Sequence, residues 1–293
     1  MRNVKLAFRT LFKTPFVTVV AIVSLALGIG ANAAIYSLFN EMLLAPLPVP
    51  NHEQLVNFGG NTVSPGSHQC GLAGNCDRVF SYKMFRDLEA KPGPFTGVAA
   101  HMIFGANIAF RGQTLSGNGE LVSGSYFPVL GVRPALGRLF SVEDDKIVGG
   151  HPVVVLSHGY WQTQLGANPS VVGQQIVVNG VSLTIIGVSA AGFDGTTLGN
   201  LPDLFVPLTM RGQMNAGWNR FDDRQTYWAY VFARLEPGVS MARARAQENV
   251  LYHSIINTVE VPLQKGISAR TMARFKAKTL VLDDGRRGLS TLH

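Results

Sequence analysis

Residues 152–188, PVVVLSHGYWQTQLGANPSVVGQQIVVNGVSLTIIGV, decide the fold class. PVVVL is a short β-branched run bounded by a proline and a serine, and it reads as a buried strand. Ser157 then supplies an N-cap hydroxyl, Tyr160, Trp161 and Leu165 follow at helical spacing, and Gly166 stops the helix. Beyond Asn168-Pro169, the apolar runs IVV and VSLTII flank Asn179-Gly180. That pair is preferred in two-residue type I′ turns, because both turn residues need positive φ, so the two runs are predicted to form a hairpin. A strand, a helix and then an antiparallel hairpin break strict βαβ alternation, which places the chain in the α+β class.

Working outward, residues 55–58 (LVNF) suit a first strand, and Ser81 caps a helix with Tyr82, Phe85 and Leu88 on one face. Residues 97–124 read as short strands, VAAHMIF, ANIAF and LVSG, separated by breaks at Gly112 and at Gly117-Asn118-Gly119. Downstream, 226–235 (TYWAYVFARL) is a further strand and Pro237-Gly238 turns the chain. Ser240 caps a helix on which Met241, Ala244, Glu248, Leu251, Ile255 and Val259 repeat.

At the other end, residues 16–39 hold no charged side chain. As a helix this run is roughly 36 Å long, enough to cross a hydrocarbon core of about 30 Å. Arg2, Lys5, Arg9 and Lys13 precede it and Glu41 follows, a bias that predicts a cytoplasmic N-terminus and a span over 16–40. Val4, Phe8, Leu11 and Phe12 share one side of residues 1–15, as in an amphipathic helix lying on a membrane surface. A cleaved secretory signal is the rival, since Ala31-Asn32-Ala33 has the A-x-A form. Against cleavage, the apolar run continues past that point to Phe39. Ala21, Ser24, Gly28 and Ala31 fall on one face; this is either a seam for other helices or the ordinary small-residue content of a membrane span. APLPVP (45–50) ends any helix on leaving the membrane.

The net charge of +7 excludes less than it first seems to, because four positive units lie in the first 13 residues. A second basic cluster (Lys265, Arg270, Arg274, Lys276, Lys278, Arg286, Arg287) faces only Asp283 and Asp284 after residue 262. It lacks interleaved aromatics or any nucleic-acid motif, so a solvated or membrane-proximal surface is expected and nucleic acid is not. Cys70 and Cys76 bracket a glycine-containing loop and, outside the cytoplasm, are expected to form a disulfide. With His68 they make only three soft ligands at no recognised zinc spacing, so no metal is assigned.

Chemistry-bearing motifs are scarce. There is no phosphate-binding G-x-x-x-x-G-K-[ST], no H-E-x-x-H and no G-x-S-x-G. Glu143-Asp144-Asp145 reads as a solvated turn, and no orienting carboxylate lies close in sequence to His101, His151 or His158. The stretch 192–199 (GFDGTTLG) lacks the order of a dinucleotide loop. No catalytic, cofactor-binding or metal residue is assigned, and an enzyme is not expected. Loops are where a partner would be read, with the cysteine loop and residues 210–224 the candidates.

Three separated stretches carry a resemblance: FPVLGVRPALGRLFSVEDD (127–145), the opening segment 152–188, and GFDG followed by PDLFVPL (202–208). Together they resemble the periplasmic core domain of MacB/FtsX-type ABC transporter permeases. The basic lead-in and the span ending ALGIGANAAIYSLFNEMLL are similar to that family's first membrane helix. The resemblance implies a periplasmic core domain over 41–260 with two subdomains, and a membrane-proximal segment over 261–293 leading to a second span that this sequence lacks. Members carry at least three further spans after the core domain, so a fragment, truncated before the later helices, is expected. The implied function is a permease subunit in a bacterial inner membrane, coupling a separate cytoplasmic ABC ATPase to an outer domain. Its implied partners are other permease copies or halves and membrane lipid; some relatives export macrolides, peptides or toxins. The alternative is a single-span, membrane-anchored periplasmic binding or scaffold protein.

Overall fold

The computed structural model describes residues 15–39, 45–70 and 75–289. Two compact units are distinguished, Met1–Ala45 and Pro46–His293. In the first, helix α1 (Pro15–Phe39) is a continuous 25-residue helix. Its window Pro15–Tyr36 has mean hydropathy 2.1 and none of it is buried. Such a helix is stable in lipid, where every backbone group must be satisfied within the segment. Gly28, on the small-residue face, meets open space. The amphipathic helix expected over 1–15 lies outside the described residues.

The second unit is built from strands β1 (Leu55–Gly60), β2 (Ser67–His68) and β3 (Val79–Ser81), followed by helix α2 (Tyr82–Glu89), the long β4 (Phe95–Phe110) and β5 (Gln113–Val122). Next come α3 (Tyr126–Leu130), β6 (Leu136–Gly137), β7 (Val153–Leu156), α4 (His158–Gln164), β8 (Gln175–Val178) and β9 (Val181–Val188). The chain continues through β10 (Leu204–Pro207), α5 (Arg211–Met214), β11 (Thr226–Leu235), α6 (Met241–Ile255), α7 (Ala269–Lys276) and β12 (Leu280–Asp284). The sheet order is β12-β1-β11-β4-β5-β10-β7-β9-β6, with β2 and β3 on β11 and β8 joined to β4 and β9. Most pairs are antiparallel, but β2–β11, β5–β10 and β7–β9 are parallel, so the sheet is mixed.

The opening stretch folds as read. The Ser157 hydroxyl accepts from the Tyr160 amide, and β8 and β9 pair Val178 with Val181 around a turn at φ 49° and 84°. Ser81 and Ser240 likewise cap α2 and α6 through the amides of Met84 and Arg243.

Residues 97–124 differ from the sequence reading. Instead of short strands broken by glycine turns, β4 and β5 are long partners paired from His101–Val122 to Phe110–Gln113, and the only reversal is at Arg111-Gly112. Gly117 and Gly119 lie within β5 because side chains crowd the space a Cβ would need. A Cβ on Gly119 would stand 2.3 Å from the Phe104 ring, and one on Gly117 2.1 Å from the Asp203 carboxylate. These glycines mark close approach, the second common meaning of glycine in a strand.

The two expected subdomains share this sheet. β4 pairs with β11 along its first half and with β8 at Ile108 and Ala109, so it runs through both halves. Residue 260 falls within a helical run, a π turn at Ile256–Glu260 leading into a 3-10 turn at Val261–Leu263. Beyond it, α7 and β12 belong to the same compact unit, β12 forming the edge strand beside β1.

Candidate functional site

The two loops singled out from the sequence come together at Arg211. This residue begins α5 and is 2 % exposed. Its guanidinium carbon lies 4.1 Å from the centre of the Trp218 ring and 3.9 Å from that of Trp228. The two indoles are nearly perpendicular, at 82°. The guanidinium donates to the Gln69 side-chain oxygen beside Cys70 and lies 2.9 Å from the Met102 sulfur. Among the described residues no carboxylate is within ion-pair distance of it, and burial alone lowers its pKa to about 9. Taking a cation out of water without a counter-charge is expensive, and here the faces of two π-systems are its main compensation.

Residues 68–70, leading into the cysteine loop, are tied down on the same side. The Gln69 amide donates to the Tyr227 carbonyl and the Tyr230 hydroxyl to the Cys70 carbonyl, at 2.9 and 2.8 Å. His68 stacks on Tyr227 at 5.1 Å. The Cα atoms of Cys70 and Cys76 are 5.1 Å apart.

Trp218 also lines a cleft of about 430 Å³ with Tyr82, Val148, Gln213 and Phe221, and the Lys83–Asp222 ion pair stands at its edge. Trp218 and Phe221 meet edge to face at 4.7 Å, as do Tyr82 and Phe221 at 5.0 Å. The cleft thus has aromatic walls and balanced charge, suited to holding a partner's apolar group.

Below it lies a polar network that the sequence reading did not place. Asp144 and Asp145 are buried instead of forming a solvated turn; only Glu143 remains exposed. The Arg86 guanidinium, 4.9 Å above the Tyr82 ring, reaches the Asp145 carboxylate at 2.6 Å and Glu89 at 2.5 Å. Asp145 also accepts from the Thr209 amide at 2.8 Å, while Arg138 holds Asp144 in a two-pronged pair. Burial pushes the Asp145 carboxyl up despite Arg86; at Asp144, Arg138 and the Ser141 donors overcome partial burial and draw the pKa down.

His101 has a carboxylate partner after all. Its Nδ1 lies 2.8 Å from Glu120, with both residues almost fully buried, and Tyr126 bridges Glu120 and Thr196 at 3.3 and 3.0 Å. The two residues sit on β4 and β5, and their strands' register brings them to one face. The only sequence signal was a polar residue inside each of two apolar runs. His101, Glu120 and Tyr126 are sealed from solvent. Among the described residues no group of three His, Cys, Asp or Glu side chains could hold a metal ion.

No curated protein matches the chain in sequence. In structure it is similar to the periplasmic region of MacB from Actinobacillus actinomycetemcomitans, at TM-score 0.51 and 15% identity over 71% of this chain and 85% of that one. It also matches the extracellular domain of the noncanonic ABC-type transporter YknZ from Gram-positive bacteria, at TM-score 0.49 and 16% identity over 70% and 96%. A domain of a putative permease from Porphyromonas gingivalis matches at 0.48 and 14% over 83% and 96%. The sequence model of the MacB-like periplasmic core domain covers residues 18–248, and the chain therefore belongs to that family.

Proposed function

We propose that this chain is a permease subunit, or the leading part of one, that couples a separate cytoplasmic ATPase to its extracytoplasmic domain. The observation that carries the reading is the pairing of a 25-residue apolar helix, none of whose Pro15–Tyr36 window is buried, with a MacB-like periplasmic core domain in one chain. An apolar helix with none of this window buried is built for lipid and for other helices, and Gly28 on its small-residue face leaves room for close approach. On this reading α1 stays uncleaved in the bacterial inner membrane with its N-terminus in the cytoplasm. Residues from 46 onward lie outside, and Cys70 and Cys76 are bonded there. The cleft beside Trp218 and the cysteine loop is where a transported molecule or a partner protein is met.

The test is co-expression of the natural gene with the neighbouring gene for a nucleotide-binding protein. The two products are expected to co-purify, and ATP hydrolysis by the second should change when the first is present. Hydrolysis indifferent to the permease, with no co-purification, overturns the reading and favours a membrane-anchored scaffold. Peptide masses before and after reduction, differing by two hydrogens across residues 70–76, test the disulfide.

A further inference from the structure

The helices packed beside β12 sort their charge by depth. Residues 237–278 contain seven lysines and arginines and two glutamates. Both glutamates, Glu248 and Glu260, are 1 % exposed, and one of the cations, Lys278, is 3 % exposed. The remaining six, Arg243, Arg245, Lys265, Arg270, Arg274 and Lys276, are all exposed. The outward charge of this layer is therefore wholly positive.

Among the described residues, none of the six has a carboxylate within ion-pair distance; Lys91, Arg111 and Arg133 elsewhere are also exposed and without one, so what sets this layer apart is six such cations within residues 243–276. Arg270 and Arg274 even stand one helical turn apart on α7, a like-charge spacing that weakens a helix. Between the cations lie outward-facing aliphatics: Val250 at 74 %, Leu263 at 44 % and Val259 at 37 % exposure.

We propose that this layer is a docking surface for an anionic phospholipid bilayer, its guanidinium and ammonium groups meeting lipid phosphates while the aliphatic side chains enter the headgroup region. Two observations favour lipid over an acidic protein. The cations are spread along two helices and the turn between them instead of converging on a pocket, and cations mixed with aliphatics are the pattern of surfaces that lie on membranes. The folded unit also begins at Pro46, seven residues after the apolar helix ends at Phe39, so a bilayer holding α1 is present at high effective concentration.

The test uses the full chain in lipid nanodiscs of phosphatidylcholine, with or without about one third phosphatidylglycerol. A dicarbonyl reagent labels free guanidinium groups, and mass spectrometry reads the rate at each arginine. Labelling of Arg243, Arg245, Arg270 and Arg274 is expected to slow about fivefold or more in the anionic discs and to recover at about 0.5 M salt, where screening shortens to a few ångströms. Arg133, exposed and outside the layer, is the internal reference and should keep its rate. In the double variant R270Q/R274Q the protection of Arg243 and Arg245 should fall, because the charges act on one surface. Equal rates in the two discs overturn the proposal, as does equal slowing at Arg133. Protection reproduced in neutral discs by glycerol phosphate points to a free-phosphate site, and protection by soluble polyglutamate points to an acidic partner; either result overturns it too. None of these readouts depends on an ATPase, so failure here leaves the proposed coupling untouched.

Discussion

Arg211 shows how a buried charge is kept where no anion is near. Lowering its pKa to about 9 corresponds to a penalty of about 5 kcal/mol on the charged form. Two desolvated ring contacts, at about 2 kcal/mol each, nearly offset it. Arg211→Met is therefore expected to leave the melting midpoint within a few degrees while freeing Gln69. Hydrogen exchange at residues 66–70 should accelerate, and a large drop in the midpoint would show that the ring contacts are worth more than this. Glu248 is a second such residue. Burial alone raises its pKa from 4.5 to about 7, and Oε1 has no hydrogen-bond partner. The native state thus holds a proton that the unfolded chain gives up, so this group's contribution to stability is full below about pH 4.5, falls as pH rises through 7 and stays low above it. Glu248→Gln should remove that slope and stabilise the fold at pH 8 by at most about 3 kcal/mol, as read by denaturation at pH 5 and pH 8.

At the level of elements, local rules worked wherever one residue type has one cheap conformation. Asn179-Gly180, Ser157, Ser81 and Ser240 were legible because turn and cap chemistry is local. Gly117 and Gly119 were not, because their meaning depends on Asp203 and Phe104, side chains distant in sequence. Gly119→Val is expected to push Phe104 off its strand and cost about 1–3 kcal/mol, whereas Gly112→Asn, at a turn position with φ 80°, should cost well under 1 kcal/mol. Thermal melts of both variants check the contrast. The candidate site was legible only as two loops. What joins them is Arg211, one cation after an apolar strand, and the pairing of His101 with Glu120 was hidden because sheet register is a long-range property.

Over the whole molecule, the long apolar helix and the α+β class followed from length and periodicity, neither of which needs tertiary detail. The continuity of the sheet through both halves did not, since it rests on β4 running straight through Gly105. Titration adds a global expectation. Burial holds Lys278 at about 8, below its ordinary 10.5, so its contribution is reduced below pH 8 and recovers as pH rises from about 8 to 10.5. Glu248 behaves in the opposite sense below pH 7. As far as these two groups act, the folded unit should be least stable near pH 7 to 8, and a stability profile of the E248Q/K278M variant should be flatter there than the parent's. A parent profile with no dip in that range would count against both assignments.

The first and last strands of the described fold lie side by side: β1 and β12 are antiparallel, with Val56 opposite Asp284 and Gly60 opposite Leu280, and the Leu47 amide donates to the Arg286 carbonyl. Residues 47 and 286 therefore meet at one corner of this unit, at the edge of the sheet. In mechanical terms, a displacement shared by both strands of that corner moves the unit as a rigid lever and loads no hydrogen bond. Tugging the two apart opens the ladder like a zipper, one rung at a time and at low force, so a force-clamp experiment pulling residue 47 away from residue 286 should peel β12 before any other strand yields.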